Sequence, residues 1–182
     1  MIETIRIGTL LRETAATPYR NLITRPTGAA VRDRIEAALA ESECATALLD
    51  FSDIELLDFS CADEVVAKLL LTGSEGGGRT VVLQGLSSEQ YEAIEQVLNH
   101  HGLAVVAVSS ADGSGMPQLI GWVSADARQA FQCLCELGAL RPVQLAWALD
   151  WTEARCRDAL RVLLGRRLVR LEGELYFPIT IA

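Results

Sequence analysis

The residues that could do chemistry crowd into one stretch, Thr46 to Leu71, which reads TALLDFSDIELLDFSCADEVVAKLLL. An apolar run ends at Asp50, a polar turn carries Asp53, and Asp58 stands two residues before Ser60, with Asp63 and Glu64 just beyond. A hydroxyl ringed by carboxylates where a helix begins has two uses. It can cap the helix by accepting a backbone N–H bond, worth about 1 kcal/mol, and Ser60 to Asp63 has the spacing of a capping box. It can instead carry a phosphoryl group, which a helix N-terminus favours but which sets about two negative charges beside Asp58 and Asp63. In that case Ser60 is the regulatory phosphorylation candidate with Asp58 as the neighbouring acid, and Asp50, Asp53 and Asp63 are the candidate contacts of a protein partner.

The usual signatures of an enzyme are missing. His100 and His101 come just before Gly102, at the expected end of a helix, and belong to no metal spacing. Cys133 and Cys135 lie two apart on an expected helix, so their side chains diverge and cannot grip one ion. Gly76-Gly77-Gly78 has neither the lysine of a phosphate-binding loop nor a following helix. No G-x-S-x-G elbow surrounds Ser60. These residues predict no catalytic site, no metal and no cofactor.

The positioning elements follow from periodicity. Ile5 to Leu11 reads as a first strand and Tyr19 to Ile23, after Pro18, as a second, stopped by Arg25-Pro26. Thr27 then caps a helix over Ala29 to Ala40, with Val31, Ile35, Ala38 and Leu39 on its inner stripe. Cys44 to Phe51 is a strand buried on both faces, as in a parallel or mixed sheet under helices. Ser60 to Leu71 is the helix it feeds, broken at Gly73 to Gly78. Arg79 to Gln84 is a strand, Ser87 or Ser88 caps a helix stopped by Gly102, and Leu103 to Val108 and Leu119 to Val123 are further strands, separated by the loop-like Ser109 to Gln118. The alternation predicts an α/β fold with a mixed sheet covered by helices.

From about Ala125 the period turns helical, so a boundary is expected there: residues 1–123 as an α/β domain and 124–182 as a second, small one. Ala127, Ala130, Phe131, Leu134 and Leu137 line one helix; Pro142 starts a short one with Leu145, Ala146 and Leu149 inward; Thr152 caps a third with Cys156, Ala159, Leu160, Leu163 and Leu164 inward. Arg167 to Leu171 and Glu174 to Phe177 alternate around Glu172-Gly173, which is a hairpin signal.

Charge and composition narrow the partners. The 182 residues are 50% hydrophobic and carry a formal net charge of −8. Residues 1–124 hold 8 Arg or Lys against 17 Asp or Glu, a balance of −9, whereas residues 125–182 hold 8 against 7, or +1. Phosphate contacts need clustered basic residues, so only the second part is a nucleic-acid candidate. There Arg155, Arg157 and Arg161 lie on the third helix, and residues 152–171 carry six arginines against two acids. Against DNA, Glu153 and Arg157 pair at i, i+4, and the hairpin tip holds Glu172 and Glu174. The five cysteines are scattered in apolar contexts, as reduced thiols are. No apolar run approaches the roughly 20 residues that span a bilayer, and the first residues lack a signal-peptide layout, so a cytoplasmic protein without membrane contact is expected.

The run LLDFSDIELLDFSCADEVVAKLL, Asp58-Phe59-Ser60-Cys61 above all, resembles the core signature of the STAS family of anti-sigma factor antagonists. The resemblance covers roughly residues 20 to 108 and is strongest to STAS-like variants with DFS followed by an acidic pair, here Asp63-Glu64. It implies a STAS-like fold and a partner of the anti-sigma or kinase type, which binds the unmodified serine, the role that falls to Ser60. Phe59 stands where the family has a small polar residue and Cys61 where it has glycine. The segment LDWTEARCRDALRVLLGRRLVRLEGELYFPI is similar to winged helix-turn-helix domains, which implies DNA binding, protein docking or dimerisation. The expectation is therefore a non-enzymatic signalling protein in transcription regulation, acting through protein–protein interaction and possible as a homodimer. A DNA-binding regulator using the winged helix is the alternative.

Overall fold

The computed structural model describes residues 2–15, 20–73, 78–109 and 115–181. Strand β1 (Ile2–Arg6) runs straight into helix α1 (Ile7–Ala15), where a strand over Ile5 to Leu11 was expected. The helical turn puts Ile7 and Leu11, four apart, on one face, and both are fully buried. An apolar run this short fits either period, and packing decides it. Strand β2 is only Asn21–Leu22, and Pro18 and Tyr19 lie outside the described residues. Helix α2 (Arg25–Glu41) starts earlier than its expected cap, Thr27. Pro26, read as a stop, falls in the first turn, where proline's missing N–H has no helical acceptor to lose. The N-cap position is Thr24, at φ 72 and with no side-chain capping bond.

Strand β3 (Thr46–Asp50) is followed by β4 (Leu56–Leu57), which pairs in parallel with β2 as a small separate ribbon. One continuous helix then covers residues 59–72, in three parts: α3 (Phe59–Ala62), a π-helical segment (Asp63–Lys68) and α4 (Leu69–Thr72). Next come β5 (Thr80–Gln84) and α5 (Ser88–His101), which opens with a Ser87–Gln90 capping box and closes on left-handed Gly102, φ 64. Strands β6 (Ala104–Val108) and β7 (Gln118–Gly121) complete a five-stranded sheet of order β1-β3-β5-β6-β7. All neighbours in it are parallel except β6 and β7. The expected loop between those two is described only at its ends, since residues 110–114 lie outside the described set.

The chain ends with α6 (Ala125–Leu137), α7 (Pro142–Leu149), α8 (Glu153–Gly165) and the antiparallel hairpin β8 (Val169–Glu172) and β9 (Leu175–Pro178). Ser124 caps α6 and Thr152 caps α8 through their hydroxyls. Leu137, expected inward, is 61% exposed at the last turn of α6.

Two apolar cores lie on the two faces of the sheet, and the strands feed both by alternation. Ala47, Leu49, Leu83, Val105 and Ile120 pack under α1, α2, α5 and the 59–72 helix. Leu48, Val82, Val106 and Leu119 belong to the other cluster, with Phe131 and Leu134 of α6, Leu145 of α7 and Leu160 and Leu163 of α8. The helices after residue 124 are thus the second cover of the sheet. Among the described residues, no helix is long and apolar enough to cross a membrane.

Candidate functional site

The site is built where β4 hands the chain to the 59–72 helix. Pairing of β2 with β4 brings the Leu22 carbonyl onto the Asp58 N–H at 3.2 Å and the Thr24 N–H onto Asp58 Oδ2 at 2.9 Å. That fixes Asp58 in extended backbone, φ −82 and ψ 164, as the N-cap. Its Oδ1 accepts from the Cys61 N–H at 2.8 Å. Ser60 is therefore not the cap, and the Ser60–Asp63 capping box does not form. Instead the Ser60 hydroxyl donates to Asp58 Oδ1 at 2.8 Å. Burial alone would raise the Asp58 pKa, but these N–H and O–H donors outweigh it and hold the carboxyl below its ordinary value.

Asp63, one turn on, accepts from Arg25 Nη1 through Oδ2 at 2.8 Å and meets His101 Nε2 through Oδ1 at 2.7 Å. Its pKa is also depressed, burial working against the hydrogen bonds from Arg25 and His101. The same Arg25 reaches Glu64 Oε1 at 2.7 Å. Glu64 is 2% exposed and is gripped in addition by Arg32 and Lys68. Against its burial, the bonds from Lys68 and Arg25 keep it ionised, with the pKa lowered. The π-helical segment begins at Asp63, and Glu64, three residues after buried Cys61, shares its inward face toward α2. Gly28 of α2 makes room for this approach, because a Cβ there would come within 3.0 Å of Cys61 Cα and 3.1 Å of Glu64 Cβ.

Cys61, fully buried, donates its thiol to the Thr24 carbonyl at 3.0 Å. Burial, with the charge of Asp58, pushes its pKa up to about 12, so it stays a thiol and is no nucleophile. In front of Ser60 opens a shallow cleft of about 550 Å³, lined by Arg25, Phe59, Asp63, Val97, His100 and His101. Phe59 is 55% exposed, as are Leu56 of β4 at 51% and Ile23, just after β2, at 38%. The assembled features are an available hydroxyl, a carboxylate held charged, Arg25 and His101 within the same cleft, and exposed apolar side chains.

Not every expected residue joins them. Asp50 turns back to accept from the Ser52 N–H at 3.0 Å, and Asp53 lies against Gly8 with Arg12 at 3.7 Å. Among the described residues neither bonds to Asp58 or Ser60, so Asp58, Ser60 and Asp63 form the cluster without them. Sequence reasoning missed Arg25, Arg32, Lys68 and the pairing role of His101. Of these only Lys68 carried a local signal, its i, i+4 spacing from Glu64.

In the C-terminal part each candidate arginine already has a carboxylate. Arg155 makes a two-pronged pair with Asp126 at 2.7 and 2.8 Å and lies over the Trp151 ring at 4.0 Å; Arg157 pairs with Glu153, and Arg161 with Asp158 at 2.8 Å. Among the described residues no group of His, Cys, Asp and Glu could hold a metal ion. No family model, no curated protein and no solved structure matches the chain.

Proposed function

We propose that the chain is a non-enzymatic regulatory protein, whose STAS-like α/β part engages a protein partner over the start of the 59–72 helix, with Ser60 as a phosphorylation switch. The observation that carries this reading is the Ser60 hydroxyl, bonded to Asp58 at 2.8 Å and free of any capping duty. Phosphorylation would remove that donor and place a charge of about −2 against a carboxylate held ionised. Arg25 and His101, now on Asp63, are the hydrogen-bond donors within the same cleft that would turn to the phosphate. The exposed Ile23, Leu56 and Phe59 supply the apolar contact that partner surfaces use, and a dianion beside it repels a partner. Phe59 sits in the rim of that surface, so its replacement of a small polar residue is compatible with partner contact. The partner is of the anti-sigma or kinase type, met inside the cell.

Three helices followed by a hairpin support a winged helix-turn-helix reading of residues 124–182, which we assign to protein contact, including a homodimer, in preference to DNA. Pairing of Arg155, Arg157 and Arg161 with acids leaves little free positive charge for phosphates, and Trp147 on α7 is 79% exposed. Affinity for duplex DNA that falls steeply with salt would reverse this preference. The main test is affinity purification from the native host with wild type and Ser60→Asp. The expected result is a partner recovered with wild type and lost with the variant; equal recovery and equal affinity would sink the switch.

A further inference from the structure

A second cleft, of about 280 Å³, lies far along the chain's fold from Ser60, at the other end of the same helix. It is bounded by Gly73 after α4, the start of β5, the start of β6 and the end of α8. Three half-buried arginines line it: Arg79, Arg166 and Arg167. In a chain of net charge −8, none of the three has a carboxylate partner among the described residues. Each is held by backbone carbonyls. Arg79 Nε donates to Cys44 O at 2.7 Å and Nη2 to Ser42 O; Arg166 Nη1 donates to Gly102 O at 3.1 Å and Trp122 O at 2.7 Å; Arg167 Nη1 reaches Gly73 O at 3.4 Å. Carbonyls orient a guanidinium but cancel none of its charge. Donors remain unused among the described residues: Nη1 of Arg79, and Nε and Nη2 of both Arg166 and Arg167. Among the described residues, Glu36 and Glu43 line an adjoining cleft with Arg79 and form no ion pair with it.

The backbone adds an independent sign. Helix α8 ends in a cap where Leu168 N–H bonds to Leu163 O at 2.9 Å and Arg167 N–H to Leu164 O at 3.0 Å, with Arg167 itself left-handed at φ 57. That position favours glycine, and an arginine there is strained. A residue that caps poorly but lines the cleft, with its Nη1 on the Gly73 carbonyl, is placed for its side chain.

We infer that this cleft binds a small phosphorylated molecule. The fork of a guanidinium matches phosphate oxygens two at a time, and three arginines lining one cleft fit a doubly or multiply charged group. Leu69, Val81, Leu103 and Leu168 line the floor, an apolar seat for the rest of the ligand. The site is separate from the partner surface at Ser60 and does not depend on it.

The probes are inorganic phosphate, pyrophosphate and ADP, titrated at constant ionic strength into wild type, Arg167→Gly and Arg166→Gln, with binding read by calorimetry and by thermal shift. Wild type saturates with pyrophosphate or ADP. Arg167→Gly, which relaxes the left-handed residue, melts no lower than wild type yet binds about tenfold more weakly or worse, the worth of one charge-assisted bond; Arg166→Gln weakens it similarly. Tighter binding of ADP than of pyrophosphate assigns the ligand to the nucleotide class, and equal binding to the bare phosphoryl group. No saturable binding of any probe at millimolar concentration, or equal affinity in wild type and both variants, overturns the assignment.

Discussion

Replacing Glu64 with glutamine tests the electrostatic construction of the helix start directly. The change keeps shape and removes the charge on which Arg25, Arg32 and Lys68 converge. The arginine at 25 and the lysine have side chains 53% and 39% exposed, so both can turn to water. Arg32, 20% exposed, cannot, and its Nε already lacks a hydrogen-bond partner, with Glu36 Oε1 only at 3.7 Å. Breaking a fully buried pair costs about 3–5 kcal/mol; with two of three cations able to hydrate, about 2–3 kcal/mol is expected. At about 2–4 °C per kcal/mol for a chain of this size, Tm at neutral pH falls by roughly 5–10 °C in calorimetry. The pH dependence adds a second check. The folded pKa of Glu64 lies below its ordinary 4.5, so its charge stabilises the fold above about pH 4.5 and that contribution is lost as pH falls through the folded value. The gap between wild type and Glu64→Gln must therefore narrow below about pH 4.5. An unchanged Tm at pH 7, or a gap that stays constant into acid, refutes the reasoning.

Asp58→Ala removes the acceptor of the Thr24 and Cys61 N–H groups and of the Ser60 hydroxyl, and is expected to cost about 1–2 kcal/mol in chemical denaturation, whereas Ser60→Ala costs less because it caps nothing. Equal losses would mean that Ser60 shares the cap. Gly28→Val forces a side chain into the 3.0–3.1 Å gap against Cys61 and Glu64 and is expected to cost about 1–3 kcal/mol, with faster amide exchange in residues 60–66; unchanged stability and exchange would show that α2 does not need this close approach.

The sheet, its helices and most of the helix boundaries were legible because strong apolar periods leave few alternatives. Cys44 to Phe51 and Leu103 to Val108 can only be strands with both faces covered, and Leu48 and Leu49 do face opposite cores. Where local rules allowed two readings, packing chose. Ile5 to Leu11 fits strand or helix, and Pro26 suits a strand stop or a first helical turn equally. The capping error has the same origin: Asp58 to Cys61 and Ser60 to Asp63 both have i, i+3 spacing, and only the β2–β4 pairing, which holds Asp58 extended, separates them. The cationic ring around Glu64 was illegible for another reason. Arg25 and Arg32 come from α2, more than thirty residues away, so no local spacing announces them. The π-helical segment at residues 63–68 leaves no periodic trace in so short a run.

Moving the cap from Ser60 to Asp58 changes what a switch at this site can do. Were Ser60 the cap, a phosphate would also strip the helix of its first hydrogen bond, and loss of a partner could not be told from loss of local structure. With Asp58 holding Thr24 and Cys61 through backbone donors, the fold would keep its cap under the proposed modification of Ser60, and the new charge would fall on the surface carried by Phe59, Arg25 and His101. The buried layer behind it, Glu64 with Arg25, Arg32 and Lys68, fixes the helix while Arg25 alone spans both layers, bonding Asp63 on the open side and Glu64 on the closed side. In the proposed switch, a phosphate that recruits Arg25 would draw on the same side chain that steadies Glu64, and so would act on the interior through one residue and on the proposed partner surface through charge.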